Sequence, residues 1–230
     1  MTFREILEFR RSTRIYDGTP VPNEIIQSAV DDATLAPNSS NLQLWEFYHV
    51  VNSKKKKALI EACLDQSAAK TAPNFVVIVT RRDKWKGRCK TNLEAVKKAE
   101  RPSQTGIDYY SKLLPFIYTD FFGIFGFFKK ILVTIIGWKK PMYKEVSATD
   151  IRVTAHKSVG LGAQTFMLSM ASKGYDTCPM EGFDSKRVRK ILNLPRKAEI
   201  NMVISCGKRK PEGIWGERFR LPLEDVFFEV

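Results

Sequence analysis

The chain has 230 residues, 43% hydrophobic and 27% charged, enough to bury a full core as one domain, 1–230. Its 38 lysines and arginines against 25 acidic residues leave a net charge of +13, which calls for an anionic ligand or surface. The basic residues are scattered, with short runs at Lys54–Lys57 and Lys208–Lys210 and no zinc-finger spacing or RNA-binding aromatic signature, so no nucleic acid is expected as a partner.

From the N-terminus, Phe3, Ile6 and Leu7 recur at helical spacing and predict a short helix over 2–11. Arg10-Arg11-Ser12-Thr13-Arg14 stands at its exit. Three guanidinium groups and a hydroxyl within five residues are the donors that a phosphate or a carboxylate-like ring edge asks for. A turn dense in breakers follows at 16–22, and Pro22 opens a helical pattern through Ile25, Ile26, Ala29, Val30 and Ala33, ending near Pro37.

Pro37-Asn38-Ser39-Ser40-Asn41 begins a polar loop that leads into a strand over 45–51, where His49 reads as a strand residue and not a ligand. A helix is expected over 54–66. The continuous apolar run at 75–80 has the character of a central strand. Residues 149–173 give the longest helix, stopped at Gly174, with Gly160 and Gly162 inside it as points of close backbone approach. Cys178-Pro179-Met180-Glu181-Gly182-Phe183 follows a short strand and precedes a helix that starts at Asp184 and ends before Pro195. A strand over 199–206 comes next, then a second arginine pair in Arg218-Phe219-Arg220. Interleaved helices and strands place the chain in the α+β class, in three layers or fewer.

The unusual segment is 113–138, apolar and rich in Phe, part of a helical insert or lid at about 103–146. Pro115, Asp120, Lys129 and Lys130 interrupt it, and each charge near the middle of a bilayer costs about 2.5–3.5 kcal/mol. Two apolar helices forming a hairpin around Lys129-Lys130 are expected in place of a membrane span. They would act as a dimer-buried arm, a pocket lid or an interfacial membrane contact. Phe116, Phe121, Phe122, Phe125, Phe127 and Phe128 are too many for one small lid helix to bury on a single face.

The four cysteines (Cys63, Cys89, Cys178, Cys206) lie far apart, which argues for reduced thiols and against a disulfide scaffold or structural zinc. With two histidines, no metal site is expected. The first residues lack an apolar stretch of signal-peptide length, so the expected location is cytoplasmic, with membrane association left open through 113–138.

In their order and separation, the N-terminal arginine cluster, the Pro37–Trp45 loop, the Pro179–Gly182 segment and the terminal arginine pair resemble the FMN-dependent nitroreductase family. The resemblance covers the chain apart from the apolar insert. It implies a central, mostly antiparallel sheet flanked by helices in an intertwined homodimer. It also implies an oxidoreductase that uses NADH or NADPH to reduce FMN and passes the electrons to a small aromatic acceptor, a nitro compound or a quinone, by a ping-pong route.

The resemblance places Arg10, Ser12 and Arg14 on the FMN phosphate and ring edge, with Arg11 adjacent, and Arg218 and Arg220 near the phosphate with Lys208 assisting. Pro37, Asn38, Ser39 and Asn41 match a loop that reaches the flavin from the partner subunit, and Gln66 falls on the pyrimidine edge. Pro179, Met180, Glu181 and Gly182 lie beside flavin N5, where the backbone N–H of Glu181 stabilises negative charge on reduction. Asn38 stands where many relatives have Ser, and the longer insert leaves the acceptor open. A specialised flavin dehalogenase or dehydrogenase of the same fold, or a flavin-binding membrane-docking protein with little turnover, are the alternative readings.

Overall fold

The chain runs through α1 (Phe3–Phe9), α2 (Asn23–Thr34), β1 (Trp45–His49), α3 (Ser53–Ala62), α4 (Ser67–Lys70), β2 (Asn74–Thr80), α5 (Trp85–Lys98) and α6 (Gln104–Asp108). A π-helical turn (Tyr109–Leu113), α7 (Leu114–Tyr118), α8 (Ile124–Gly137), α9 (Ala148–Ser172), β3 (Asp176–Met180), α10 (Ser185–Ile191) and β4 (Glu199–Gly207) follow. This computed structural model describes residues 1–119 and 124–230. Of the six phenylalanines singled out in the insert, Phe121 and Phe122 lie outside the described residues, as do the side chains of Phe125 and Phe127.

Every residue of β2 is buried, and alternation explains why. Val76 and Ile78 face a core formed with α2 and α9, where Phe166, Met170, Ala29 and Ala33 pack. Phe75, Val77 and Val79 face the opposite core with Leu59 of α3, Val188 of α10, Cys178 and Met180. A strand covered on both faces reads as a continuous apolar run, and the result is a three-layer arrangement. The sheet is antiparallel throughout in the order β1-β2-β4-β3, so β2 is an inner strand, and its pairing with β4 shifts register between Ile78 and Val79.

Helix ends follow their caps. Asp184 accepts from the backbone N–H groups of Lys186 and Arg187 and starts α10. Ser147 and Asp150 form a capping box that starts α9, and Gly174 at φ +76° ends the turn after it. The helix expected over 54–66 stops earlier, at Ala62, because Leu64 and Asp65 adopt left-handed backbone and re-aim the chain into α4. Of the two glycines inside α9, Gly162 is the one at a close approach: a Cβ there would sit 3.3 Å from the Trp45 ring, whereas Gly160 has open space around it.

The insert departs from the expected hairpin. α8 runs without a break through Lys129-Lys130. Lys129 points inward, and its ammonium donates to the carbonyls of Phe116 (3.1 Å), Ile117 (2.9 Å) and Thr119 (2.7 Å) at the C-terminal end of α7. A cation is favoured at that end of a helix, so the charge read as a turn is instead the clamp between two helices. A third cluster, with Leu42, Leu44, Cys89, Leu114, Tyr118 and Ile151, joins this arm to α5 and α9.

Phe166, fully buried at the centre of the α9–sheet core, tests that packing. Phe166→Ala is expected to lower unfolding free energy by about 3–5 kcal/mol in a denaturant titration, the usual cost of an aromatic-sized cavity.

Candidate functional site

Beyond α1 the chain becomes extended and lies along the outer edge of β3. Ser12 forms a parallel bridge with Thr177, and Tyr16 an antiparallel bridge with Arg209. The Thr13 N–H donates to the Thr177 carbonyl at 3.3 Å, and the Arg14 N–H to the Gly213 carbonyl at 2.6 Å. In extended backbone, alternate residues share a face. Thr13 is therefore buried, while Arg10, Ser12 and Arg14 stay half-buried on the wall of a pocket of about 420 Å³. Arg11 joins them, and the other wall comes from the C-terminal tail: Ile214, Trp215, Glu217, Arg218, Phe219 and Arg220.

Five guanidinium groups thus face one carboxylate. Burial holds Arg10 below its ordinary pKa, and the neighbouring charges of Arg218, Arg220 and Arg11 push the same way, partly opposed by Cys178. Arg14 lies 5.7 Å above the Trp215 ring and donates to the Cys178 Sγ at 3.5 Å. The Arg11 guanidinium donates to the Gly216 carbonyl at 3.0 Å. Arg218 also closes the C-terminal end of α1, its guanidinium donating to the carbonyls of Leu7, Glu8 and Arg10 at 3.0, 3.1 and 2.7 Å. Lys208 does not line this pocket; its ammonium lies 5.6 Å from the Tyr175 ring centre.

Cys178, Pro179 and Met180 belong to β3 itself instead of following it, and Glu181 and Gly182 emerge exposed at its end. Gln66 reaches that turn, its amide nitrogen donating to the Gly182 carbonyl at 2.6 Å and to the Cys63 carbonyl at 3.0 Å. The Asp184 N–H donates to the Ala62 carbonyl at 2.8 Å and clips the same turn to the end of α3. One strand, β3, therefore carries the bridge to the arginine strip at Thr177 and the turn held by Gln66 after Met180.

Pro37, Asn38, Ser39 and Asn41 lie elsewhere, packed on α9, α5 and the π-helical turn. The Ser39 N–H donates to Ser158 Oγ at 3.0 Å, the Ser40 hydroxyl meets the Tyr109 hydroxyl at 2.6 Å, and Asn41 bonds to Asn92 at 2.7 Å. Ser40 and Asn41 hold left-handed backbone, and Pro37, Ser39 and Asn41 are exposed. Ser39 and Ser40 line a second pocket of about 270 Å³ with Tyr109, Leu113, Leu114, Ile117, Tyr118 and Tyr143, an apolar and aromatic space.

Three participants gave no signal in the sequence. Trp215 lies against Arg14. Gly213 lets the tail meet the strip, because a Cβ there would run into the Ile15 carbonyl. Arg209 pairs with Asp176 at 2.5 Å and lies 4.4 Å over the Phe9 ring, fastening α1 to β3.

The family model described as "Nitroreductase family" matches residues 7–208. The chain belongs to the nitroreductase family. Its members are FMN-dependent oxidoreductases that use NADH or NADPH. A relative from Thermus thermophilus named NADH dehydrogenase is 29% identical over 94% of this chain and 90% of its own. The crystal structure of a nitroreductase family protein from Streptococcus pneumoniae superposes with a TM-score of 0.72 at 20% identity, covering both chains in full. NADPH:FMN oxidoreductase from Vibrio harveyi, solved with NAD+, gives a TM-score of 0.65 at 17% identity over 99% of this chain and 76% of its own. These two structures share the fold. The family match ends at Lys208, so the tail wall of the arginine pocket lies beyond it.

Cys178 sits next to this pocket, and its chemistry is set by burial, which pushes the thiol pKa up against the pull of Arg14 and Arg10. A protonated, buried thiol is neither nucleophile nor ligand at neutral pH. Cys178→Ser is expected to keep its acceptor-reduction rate within about twofold, and the native thiol to react with iodoacetamide at neutral pH only on unfolding. A Cys178→Ser protein that folds normally but loses the reaction would overturn this assignment.

Proposed function

We propose that the chain is an NAD(P)H-dependent FMN reductase of nitroaromatics, quinones or similar electron-poor acceptors, with the flavin phosphate in the arginine pocket. The observation that carries this reading is the convergence of five guanidinium groups from both walls of one pocket against the single carboxylate of Glu217 that lines it. A phosphate dianion relieves that repulsion and accepts from several forks at once. Arg10, Ser12, Arg14 and Arg220 are assigned to the phosphate with Arg11 beside them, while Arg218 holds the wall together through α1. Pro179, Met180, Glu181 and Gly182 are assigned to the redox edge of the ring, where the Glu181 N–H donates. Gln66 is assigned to the pyrimidine edge and fixes the turn. When bound, FMN supplies the redox chemistry, taking a hydride from NADH or NADPH and passing electrons to the acceptor.

The polypeptide binds, orients and excludes water. The aromatic pocket between the 39–40 loop and the insert is suited to a flat apolar acceptor. Pro37, Asn38, Ser39 and Asn41 reach the flavin of a second copy, which agrees with their separation from the arginine strip in one chain. Purified protein with a yellow FMN spectrum, bleached anaerobically by NADH or NADPH and recoloured by menadione or nitrofurazone, is the direct test. A folded protein that binds no flavin would overturn the reading.

A charge-assisted phosphate contact contributes about 1.5–3 kcal/mol, so Arg10→Ala and Arg220→Ala should each weaken FMN binding roughly ten- to a hundredfold in a fluorescence titration. Retention of FMN through dialysis by both variants would move the phosphate elsewhere.

Residues 216–230 are all exposed on the single chain, including Phe219, Leu221, Leu223, Val226, Phe227 and Phe228. An apolar tail of this kind needs a covering surface, and a second copy is assigned that role. Analytical ultracentrifugation should find a homodimer. A monomer holding stoichiometric FMN would contradict both the dimer and the shared site.

A further inference from the structure

The insert helix α8 is built inside out. An ordinary surface helix turns its apolar stripe to the core and its lysines to water. Here Lys129 is buried beside Val133, whereas Ile131, Leu132, Ile135 and Trp138 are exposed, Trp138 to 79%. Ile131, Leu132 and Ile135 share one broad outward face of α8, and Trp138 follows just past its end. The polar residue next to that stripe, Thr134, folds its hydroxyl back onto the Lys130 carbonyl at 2.6 Å and so withdraws its polarity. Lys130, Ile131, Thr134, Ile135 and Trp138 line a shallow apolar cavity of about 400 Å³.

Cations predominate around this face, with Asp150 of α9 near Lys130 and Glu145 beside Lys144. From Ile124 to Lys144 the sequence holds five lysines (129, 130, 139, 140, 144) and no carboxylate. Lys130, Lys139, Lys140 and Lys144 are exposed, with Trp138 among them. At 1.5 Å per residue the 14-residue helix is about 21 Å long, short of the ~30 Å hydrocarbon core. Among the described residues no helix is long and apolar enough to cross a membrane. A short helix with an exposed aliphatic stripe, a terminal tryptophan and flanking lysines matches the physics of lying in a headgroup layer. A two-fold contact of this face with itself would bring lysines against lysines, whereas an anionic headgroup complements them.

We propose that the outward face of α8 docks the protein on an anionic phospholipid surface. Leu132 and Ile135 enter the acyl boundary, Trp138 sits at headgroup level, and Lys130, Lys139 and Lys140 pair with lipid phosphates. The proposal uses no flavin contact, so its failure is separable from failure of the proposed reaction.

The test is flotation of the full chain with phosphatidylcholine vesicles and with vesicles enriched in phosphatidylglycerol, at low and high salt. Each cation near an anionic surface is worth about 1 kcal/mol, roughly a fivefold change in partitioning. The intact protein should float with the anionic vesicles only, with a blue shift of tryptophan emission that Trp138→Phe removes, and high salt should release it. Lys130→Gln/Lys139→Gln/Lys140→Gln should cut partitioning about a hundredfold, and Leu132→Glu/Ile135→Glu should abolish it, both with unchanged circular dichroism and sedimentation. Absence of flotation by the intact protein, or full flotation by the Leu132→Glu/Ile135→Glu variant, would overturn the proposal. So would a smaller sedimenting mass for that variant, because it would make the face a contact between copies.

Discussion

The backbone bridge between Ser12 and Thr177 connects the two halves of the candidate site. It lays an extended strip along the free edge of β3, which an antiparallel sheet would otherwise leave with unpaired backbone groups. Once the strip is there, period two decides which side chains go where: Thr13 turns into the protein, and Arg10, Ser12 and Arg14 turn toward the tail. Tyr16 ends the strip by burying its ring and donating its hydroxyl to the Ser205 carbonyl at 3.0 Å, so register along the edge is pinned by β4 as well. The same β3 continues through Cys178 and Pro179 to Met180 and the Glu181–Gly182 turn. A slip of one residue in the strip would bury the arginines and expose Thr13.

Electrostatics then explains why this wall is held so firmly. Guanidinium groups placed together repel one another, and the depressed pKa of Arg10 records its burial first and that repulsion in addition. The fold offsets the cost by giving the cations neutral partners: carbonyls of α1 for Arg218, the Gly216 carbonyl for Arg11, and the Trp215 ring for Arg14. None of these contacts cancels charge. The wall is therefore preorganised and still electropositive, which is the condition for anion recognition and differs from that of a neutralised structural ion pair.

How much of this was legible in the chain depends on whether local sequence decided the outcome. The β2 run, the α9 period with its stop at Gly174, and the Asp184 cap are local, and each formed within a residue or two of its expectation. The arginine cluster was legible as chemistry, but its face was set by pairing to a strand more than 160 residues away. α5 gave no clear pattern because most of its residues are polar or charged and Cys89 is its only buried one among those described. The end of α3 depended on left-handed backbone at Leu64 and Asp65, residues whose types do not announce it. Gly213 and Trp215 became visible only when the tail returned to the strip.

The Lys129-Lys130 pair shows the same limit most clearly. Two adjacent lysines in an apolar run read as one polar point, and a chain reversal is the natural inference. On a helix, neighbours in sequence are about 100° apart, so the pair splits: one ammonium turns to the carbonyls at the end of α7 and its neighbour to solvent. The inward lysine is stabilised because three carbonyl oxygens match its three N–H donors at the negative end of a helix. Its inward position fixes the rotation of α8, and that rotation turns the aliphatic residues outward. A hydrophobic residue at 129 would remove the reason for this orientation and let the stripe roll inward. The buried charge and the exposed apolar face are therefore two consequences of one contact.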